Sequence, residues 1–311
     1  MIRRLAAAAL LCFSAAAQAQ DYGLATDEVA PRVFVLWGEQ EAMLPSNGAH
    51  IANMGFIVGD DAILVVDAGP TRLFAEQLID AIRTVSNKPI TAVAITHQHQ
   101  DHSLGLSVFV DRDIPVIMHA NDAPLLARDA PTLLGFMTDI IGAEWTDGTT
   151  ISAPTRLIAE AITLDLGGRS VDIVAFENGH TPGDLAILDR TTGTLFSGDL
   201  VFNGRAPTVP HADIQTWLGQ LTTLSDLPWR QLVPGHGPLV TEREALDGMA
   251  TYLTFLESHT ACSYRMGDSQ AEALLIDLPP DAAQLANIDR EFQRSVFQLF
   301  RKYDKGDVPP C

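Results

Sequence analysis

The chain has 311 residues, 47% of them hydrophobic, enough for a large buried core, and a formal charge of −19 from 39 acidic and 20 basic side chains. A surface this acidic repels phosphate backbones and anionic bilayers, which argues against nucleic acid or a membrane surface as partner. Length alone would permit two domains, but with no repeat, charge block or low-complexity linker the pattern reads as one unit, residues 20–311, built from two similar halves.

The first residues, MIRRLAAAALLCFSAAAQAQ, carry two arginines, an apolar run from Leu5 to Ala17, and small residues ending Ala17-Gln18-Ala19. That is the layout of a secretory signal cut after Ala19, so the expected localisation is periplasmic. The run is shorter than the roughly 20 residues a transmembrane helix needs, and no later segment is long and apolar enough to span. Leu11 stands before Cys12 where a lipoprotein would place a small residue, which disfavours lipidation. Removing the leader takes Arg3 and Arg4 away and makes the charge more negative still. It leaves Cys262 and Cys311, which in an oxidising compartment form either a disulfide or one buried and one terminal thiol; the sequence leaves both open.

Short strands are expected at Arg32–Leu36, Met54–Val58 and Ala62–Val66, the last two joined by a turn at residues 59–61, followed by a helix over Arg72–Val85. Ile90–Ile95 reads as a buried strand that delivers the chain to Thr96-His97, and Pro115–His119 as another. Leu157–Leu164 and Ser170–Phe176 suggest a hairpin around LGGR, and Leu185–Leu188 and Thr194–Phe196 flank a second turn. A helix over Asp213–Leu224 capped by Asp213, a strand at Gln231–Val233, and helices from about Thr241, broken at Pro279-Pro280, complete the chain. Strands with interspersed helices in two passes suggest two facing sheets with helices outside.

The stretch THQHQDH, residues 96–102, sets three histidines and an aspartate at the end of an apolar strand. Further candidates each follow a strand in a Gly-rich turn: His180 in NGHTPGD, Asp199 in LFSGDL, His236 in LVPGHGP. Any one alone reads as an ordinary loop residue. Together, five imidazoles and two carboxylates are the donors that divalent zinc takes, and they suffice for two ions. His97, His99 and His180 would hold one, Asp101, His102 and His236 the other, with Asp199 between them. A hydroxide held between two such ions would be generated near neutral pH and could attack a carbonyl. Asp101 would then orient it and shuttle a proton, while Thr96 and Asp67 fix imidazole tautomers. Arg205 and His211, between the last ligand segments, are candidate substrate contacts.

This motif set resembles the metallo-β-lactamase-fold hydrolase superfamily, whose H-x-H-x-D-H pattern is met by His97, His99, Asp101 and His102 and whose later ligands fall on His180, Asp199 and His236. The resemblance spans most of residues 30–240. It implies an α+β four-layer αββα sandwich with the metals at one edge, and a binuclear zinc hydrolase of an ester, thioester, lactone or amide. Asp199 resembles the bridging aspartate of glyoxalase II and lactonases more than the Cys or Ser of true β-lactamases. No glutathione-binding set is matched in residues 241–311. His99 stands where flavodiiron proteins carry Glu, and the ribonuclease branch would need a basic surface. The stretches NMGFIVGDDAILVVDAGP (53–70) and RAPTVPHADIQTW (205–217) are similar to exported SoxH-like, or quinoprotein relay system, zinc metallohydrolases. That implies association with a periplasmic quinoprotein dehydrogenase or sulfur-oxidation system. Two alternatives stay open: a persulfide dioxygenase-like enzyme with one Fe2+ on His97, His99 and His180, and a non-catalytic metal-binding partner of a quinoprotein. Neither residues 120–156 nor 241–311 carry a readable recognition motif.

Overall fold

The computed structural model describes residues 20–306 and 308–311; the expected leader and its cleavage point lie outside the described residues. The first sheet runs in the order β1 (Asp27–Ala30), β2 (Val33–Leu36), β3 (Met54–Val58), β4 (Ile63–Val66), β5 (Ile90–Ala94), β6 (Val116–His119), β7 (Arg156–Ile158). Its first four strands pair antiparallel; β4 to β7 pair parallel, with α1 (Arg72–Val85) crossing from β4 to β5 and short α2 (Gln100–Ser103) and α3 (Ser107–Val110) crossing from β5 to β6. Between β6 and β7 come α4 (Ala123–Ile141) and α5 (Ala143–Thr146).

The second sheet contains β8 (Ile162–Asp165), β9 (Ser170–Glu177), β10 (Gly183–Asp189), β11 (Thr194–Phe196) and β12 (Gln231–Val233), in spatial order β12-β11-β10-β9-β8. A helix, α6 (Ile214–Asp226), joins β11 to β12; α7 (Glu244–Met266), α8 (Gln270–Ala273) and α9 (Ile288–Tyr303) follow. None of the helices among the described residues is long and apolar enough to cross a membrane.

The period-two alternation of the strands sorts side chains into three cores. From β4, Leu64 and Val66 join Val33, Val35 and Ala94 in packing against Leu185, Ile187 and Val233 between the sheets. Ile63 and Val65 point the other way, onto Phe74, Leu78 and Ile82 of α1 and Leu126 and Met137 of α4. Across the second sheet, Ala186 and Leu188 meet Trp217, Leu221, Leu253, Val296 and Phe300 of α6, α7 and α9. These layers make an αββα sandwich. Two caps set helix starts: Thr71 accepts from the Phe74 amide, and Asp213, as expected, from that of Thr216.

The structure corrects one expected strand. Leu157–Leu164 is not continuous: Arg156–Ile158 pairs with β6 in the first sheet, Ile162–Asp165 with β9 in the second, and exposed residues 159–161 carry the chain across. Both pieces lie at sheet edges with half their residues exposed, so the run LIAEAITL lacks the burial contrast that would mark the break. Elements the sequence did not suggest include β1, α4 and α5. Strand β1 is too exposed to alternate, and α4 carries its apolar spacing (Leu126, Ala130, Met137, Ile141) around an internal Pro131. Cys262 and Cys311 are joined as a disulfide, with Cα atoms 4.8 Å apart.

Candidate metal centre

Every segment named for its His or Asp ends on one edge of the sandwich. The C-terminal ends of β4, β5, β11 and β12 and the start of β10 release Asp67, residues 96–102, Asp199, His236 and His180 onto that edge. The short helix α2 turns Asp101 and His102 back toward the strand ends, and a single 3-10 turn, Gly198–Leu200, carries Asp199. All seven expected ligands are buried.

They fall into two groups whose facing atoms lie within 4.8 Å of one another: His97, His99, His180 and Asp199, and Asp101, His102 and His236. In the first, His97 Nε2 and His180 Nε2 each lie 3.0 Å from His99 Nδ1, and Asp199 Oδ2 is 3.7 and 3.4 Å from His97 Nε2 and His180 Nε2. In the second, His236 Nε2 lies 3.4 Å from Asp101 Oδ2, which is 3.9 Å from His102 Nε2. Asp199 reaches both groups: its Oδ2 is 3.4 Å from His236 Nε2 and its Oδ1 3.1 Å from His102 Nε2.

The residues fit metal ions. Donors around a tetrahedral ion bound at about 2.0–2.1 Å stand roughly 3.3 Å apart, the spacing seen here. His102 Nε2 and Asp199 Oδ1 are buried 3.1 Å apart, yet neither makes an aligned hydrogen bond, to the other or to any group among the described residues, a cost usually met by an unseen partner. Burial first, then neighbouring imidazoles, push His97 and His99 well below the usual histidine pKa, and burial takes His180 down to about 3. These rings are neutral and keep a lone pair for a ligand. His102 differs: burial opposes its charge, but Asp199, Asp67 and Asp101 outweigh it and raise its pKa well above normal.

Four of the five rings are also oriented from behind, as metal-binding imidazoles require. His102 Nδ1 lies 2.8 Å from Asp67 Oδ2, and His236 Nδ1 2.7 Å from the Ile51 carbonyl oxygen. His97 Nδ1 is 3.1 Å from Thr96 Oγ1, whose own hydroxyl donates to Asp67 Oδ2 at 2.9 Å. His99 Nε2 is 3.0 Å from His211 Nδ1, which also accepts from the Gln98 amide at 3.2 Å. His211, expected as a substrate contact, therefore steadies a ligand as well as lining the cavity above it. Arg205 lines the same cavity, and Asp67 and Thr96 occupy the supporting positions expected of them.

Other supporting residues escaped the sequence. Asn53, buried at the start of β3, donates to the carbonyls of Pro234 and Gly237 at 2.8 and 2.9 Å and clamps the turn that carries His236. Within that turn only glycine fits at 235, because a Cβ there would sit 2.0 Å from Asp199 Oδ1. Asp122 accepts from the Gln98 amide at 2.5 Å, and Asp184 from Thr181 N and Oγ1, each at 2.9 Å. Burial raises Asp122 to about 7 and Asp184 well above the usual carboxylate range. The nearest sequence signal was the polar residue next to each ligand motif, which is too common to single out.

The chain is similar to known proteins. An acyl-coenzyme A thioesterase, MBLAC2, of Gallus gallus is 31% identical over 60% of this chain and 72% of its own length. Among solved structures, a metallo-beta-lactamase from Pontibacter korlensis superposes with a TM-score of 0.60 at 19% identity, over 74% of this chain and 99% of its own. The stereoselective inverting sec-alkylsulfatase Pisa1 from Pseudomonas sp. gives 0.66 at 17% identity over 93% of this chain and 52% of its own, a likeness of fold that takes in the C-terminal helices. Residues 47–236, more than half of the chain and including every candidate ligand, match the profile of the Metallo-beta-lactamase superfamily, and the chain belongs to that family.

Proposed function

We propose that the chain is a binuclear zinc hydrolase of a carbonyl compound, a thioester or ester before a lactone or amide, closer to glyoxalase II in type than to a true β-lactamase. The observation that carries this is the pair of donor groups sharing Asp199 at the floor of an open cavity. His97, His99 and His180 with Asp199 would hold one ion, and Asp101, His102 and His236 with the same Asp199 the other. Ions held there supply Lewis acidity and lower the pKa of water toward neutral.

The chain's own residues do the rest. Asp101, 6% exposed and lining the cavity, is placed to take a proton from the attacking water at a carboxylate oxygen and return it to the leaving group. The carboxylate of Asp199, among His97, His102, His180 and His236, ties the two groups into one unit. Met43, Leu133 and Phe136 give the cavity an apolar lining that keeps water from the reacting carbonyl and suits an acyl chain. The thioesterase relative supports a thioester as first substrate to try.

Export to a periplasm belongs to the same proposal; the leader pattern and the Cys262–Cys311 disulfide support it. So does the SoxH-like resemblance, with a quinoprotein dehydrogenase as partner to be sought by copurification. The deciding experiment is elemental analysis of exported protein purified without chelators or added metal, joined to a thioester and ester panel. Two zincs per chain with turnover is the expected outcome, and Asp199→Ala should lose both metal and turnover by orders of magnitude. One iron per chain with oxygen uptake on persulfides would move the assignment to the dioxygenase class.

A further inference from the structure

Two cavities adjoin at the metal centre. The first, about 240 Å³, has His99, Asp101, Asp199 and His236 among its lining; the second, about 520 Å³, shares Pro210, His211 and Gln298 with it. Their basic lining stands out in a chain of charge −19. Arg205, Arg290 and Arg294 line the first and Arg301, Lys302 and Lys305 the second, six of the chain's 20 lysines and arginines. Apart from Arg205, all of these belong to α9 or the residues just after it. Positions 290, 294, 298 and 301 are spaced by threes and fours on α9, with Lys302 beside Arg301 and Lys305 just past the helix end, so they form one stripe.

Nearby acids cancel only part of the stripe: Glu291 neutralises Arg294 at 3.1 Å, the Asp213 carboxylate caps α6, and Arg290, Arg301, Lys302 and Lys305 have no salt-bridge partner among the described residues. Arg205 is the sharper observation. It is 4% exposed, spends one N–H on the Glu41 carbonyl at 2.8 Å, and keeps Nε buried with no partner among the described residues. Nε is closed off, but the guanidinium lines the cavity wall with a single carbonyl bond, so its remaining edge is placed to receive an anion.

We propose that the substrate is an amphiphilic anion: one arm apolar, the reacting carbonyl over the metal ligands, and the other arm carrying a carboxylate, sulfate or phosphate held by Arg205 and the basic stripe of α9. This rests on the hydrolase reading and names its substrate class. The apolar arm lies on Met43, Leu133 and Phe136; an extended anionic arm continues past His211 into the second cavity. Hydrolysis of such a thioester adds one water across the C–S bond and yields a carboxylate, a thiol and one proton.

The test uses matched thioesters with metal-loaded protein. S-octanoyl-N-acetylcysteamine is neutral, octanoyl-coenzyme A adds phosphates on the leaving arm, and the N-acetylcysteamine thioester of nonanedioic acid adds a carboxylate on the acyl arm. The anionic arm that fits should raise kcat/KM about tenfold or more over the neutral compound. That ratio should fall by about as much in Arg290→Gln/Arg301→Gln and with added salt, and stay put in Arg83→Gln, an exposed arginine lining neither cavity. Which compound gains tells whether phosphate or carboxylate is meant. Equal kcat/KM for all three, or a ratio the double variant leaves alone, overturns the proposal while the hydrolase reading stands. If nothing is turned over, the thioester form of that reading fails, and calorimetry with the S-octyl thioether of coenzyme A and with nonanedioate monomethyl ester decides the anion site: binding weakened about tenfold in the double variant sustains it, and no binding at millimolar concentration, or binding the variant leaves unchanged, removes it.

Discussion

Asp67 holds a left-handed backbone, φ 62°, at the end of β4, a conformation that costs most side chains energy but that Asp and Asn tolerate. From there its carboxylate accepts from the Thr96 amide at 2.7 Å and the Thr96 hydroxyl, and faces His102 Nδ1. One residue thus sets the tautomer of His102 directly and of His97 through Thr96. Asp67→Asn keeps the backbone and removes the charge, so it should weaken metal binding about 10- to 100-fold without unfolding the chain. Asp67→Ala should add about 1–3 kcal/mol of instability, because Ala resists that φ. Competition titration against a chromophoric chelator and denaturant unfolding read the two effects separately; wild-type metal affinity in the Asn variant would sink the positioning role. The ligands themselves were legible because four of them crowd into residues 97–102 and each of the others follows a strand. Asn53, Gln98 and Asp122 were not, since nothing local distinguishes a polar residue that supports a loop up to 184 positions away.

Among the elements, the strands were read well where they are largely buried, the edge strand β12 included, and poorly at the exposed edges β1, β7 and β8. β3, β4, β5 and β10 are buried along most of their length, so mostly apolar runs mark them. At the edges, exposure removes that signal, and β1 and the β7–β8 crossing went unseen. Away from the metal edge, the LGGR turn before β9 sends Arg169 across the sandwich. Its guanidinium pairs with Asp189 at 2.7 and 2.9 Å and donates to the carbonyls of Val58 and Pro31, each at 3.0 Å, so it bolts the two sheets together. Burial alone would raise the Asp189 pKa, but the bonds from Arg169 and Thr192 prevail and hold it below the usual carboxylate value. A depressed carboxylate pKa stabilises the fold above the unfolded pKa, and that stability is lost as pH falls through the folded value. Arg169→Met should therefore cost about 3–5 kcal/mol at neutral pH by stranding a buried charge. The gap from wild type should narrow in acid, as Asp189 becomes neutral. Urea unfolding across pH checks this, and a gap independent of pH would mean the pair is not the source.

For the molecule as a whole, the C-terminal helices are a wall of the candidate site as well as a cover for the second sheet. The Cys262–Cys311 disulfide closes a loop across 49 positions of sequence and ties the chain end to α7, where Arg265 also donates to the carbonyls of Val308 and Pro309. Loop entropy puts its worth at about 4 kcal/mol. Cys311→Ser should lose stability up to that amount; a reductant should bring wild type to the same level and leave the variant unmoved, as thermal melts with and without reductant would show. A variant as stable as the oxidised wild type would mean the bridge constrains little. One further consequence follows from the way Asn53, just before β3, grips the turn at 234–237. Both donor groups draw on residues 97–102 and on partners between His180 and His236, the last on a turn held by Asn53, so the pair is complete only once the chain to about residue 236 has been made and brought together. A partly made chain lacks the full donor set and would hold ions at less than full affinity. The protein takes its metal where it finishes folding, and the metal supply of that compartment, rather than ligand chemistry alone, decides what it carries.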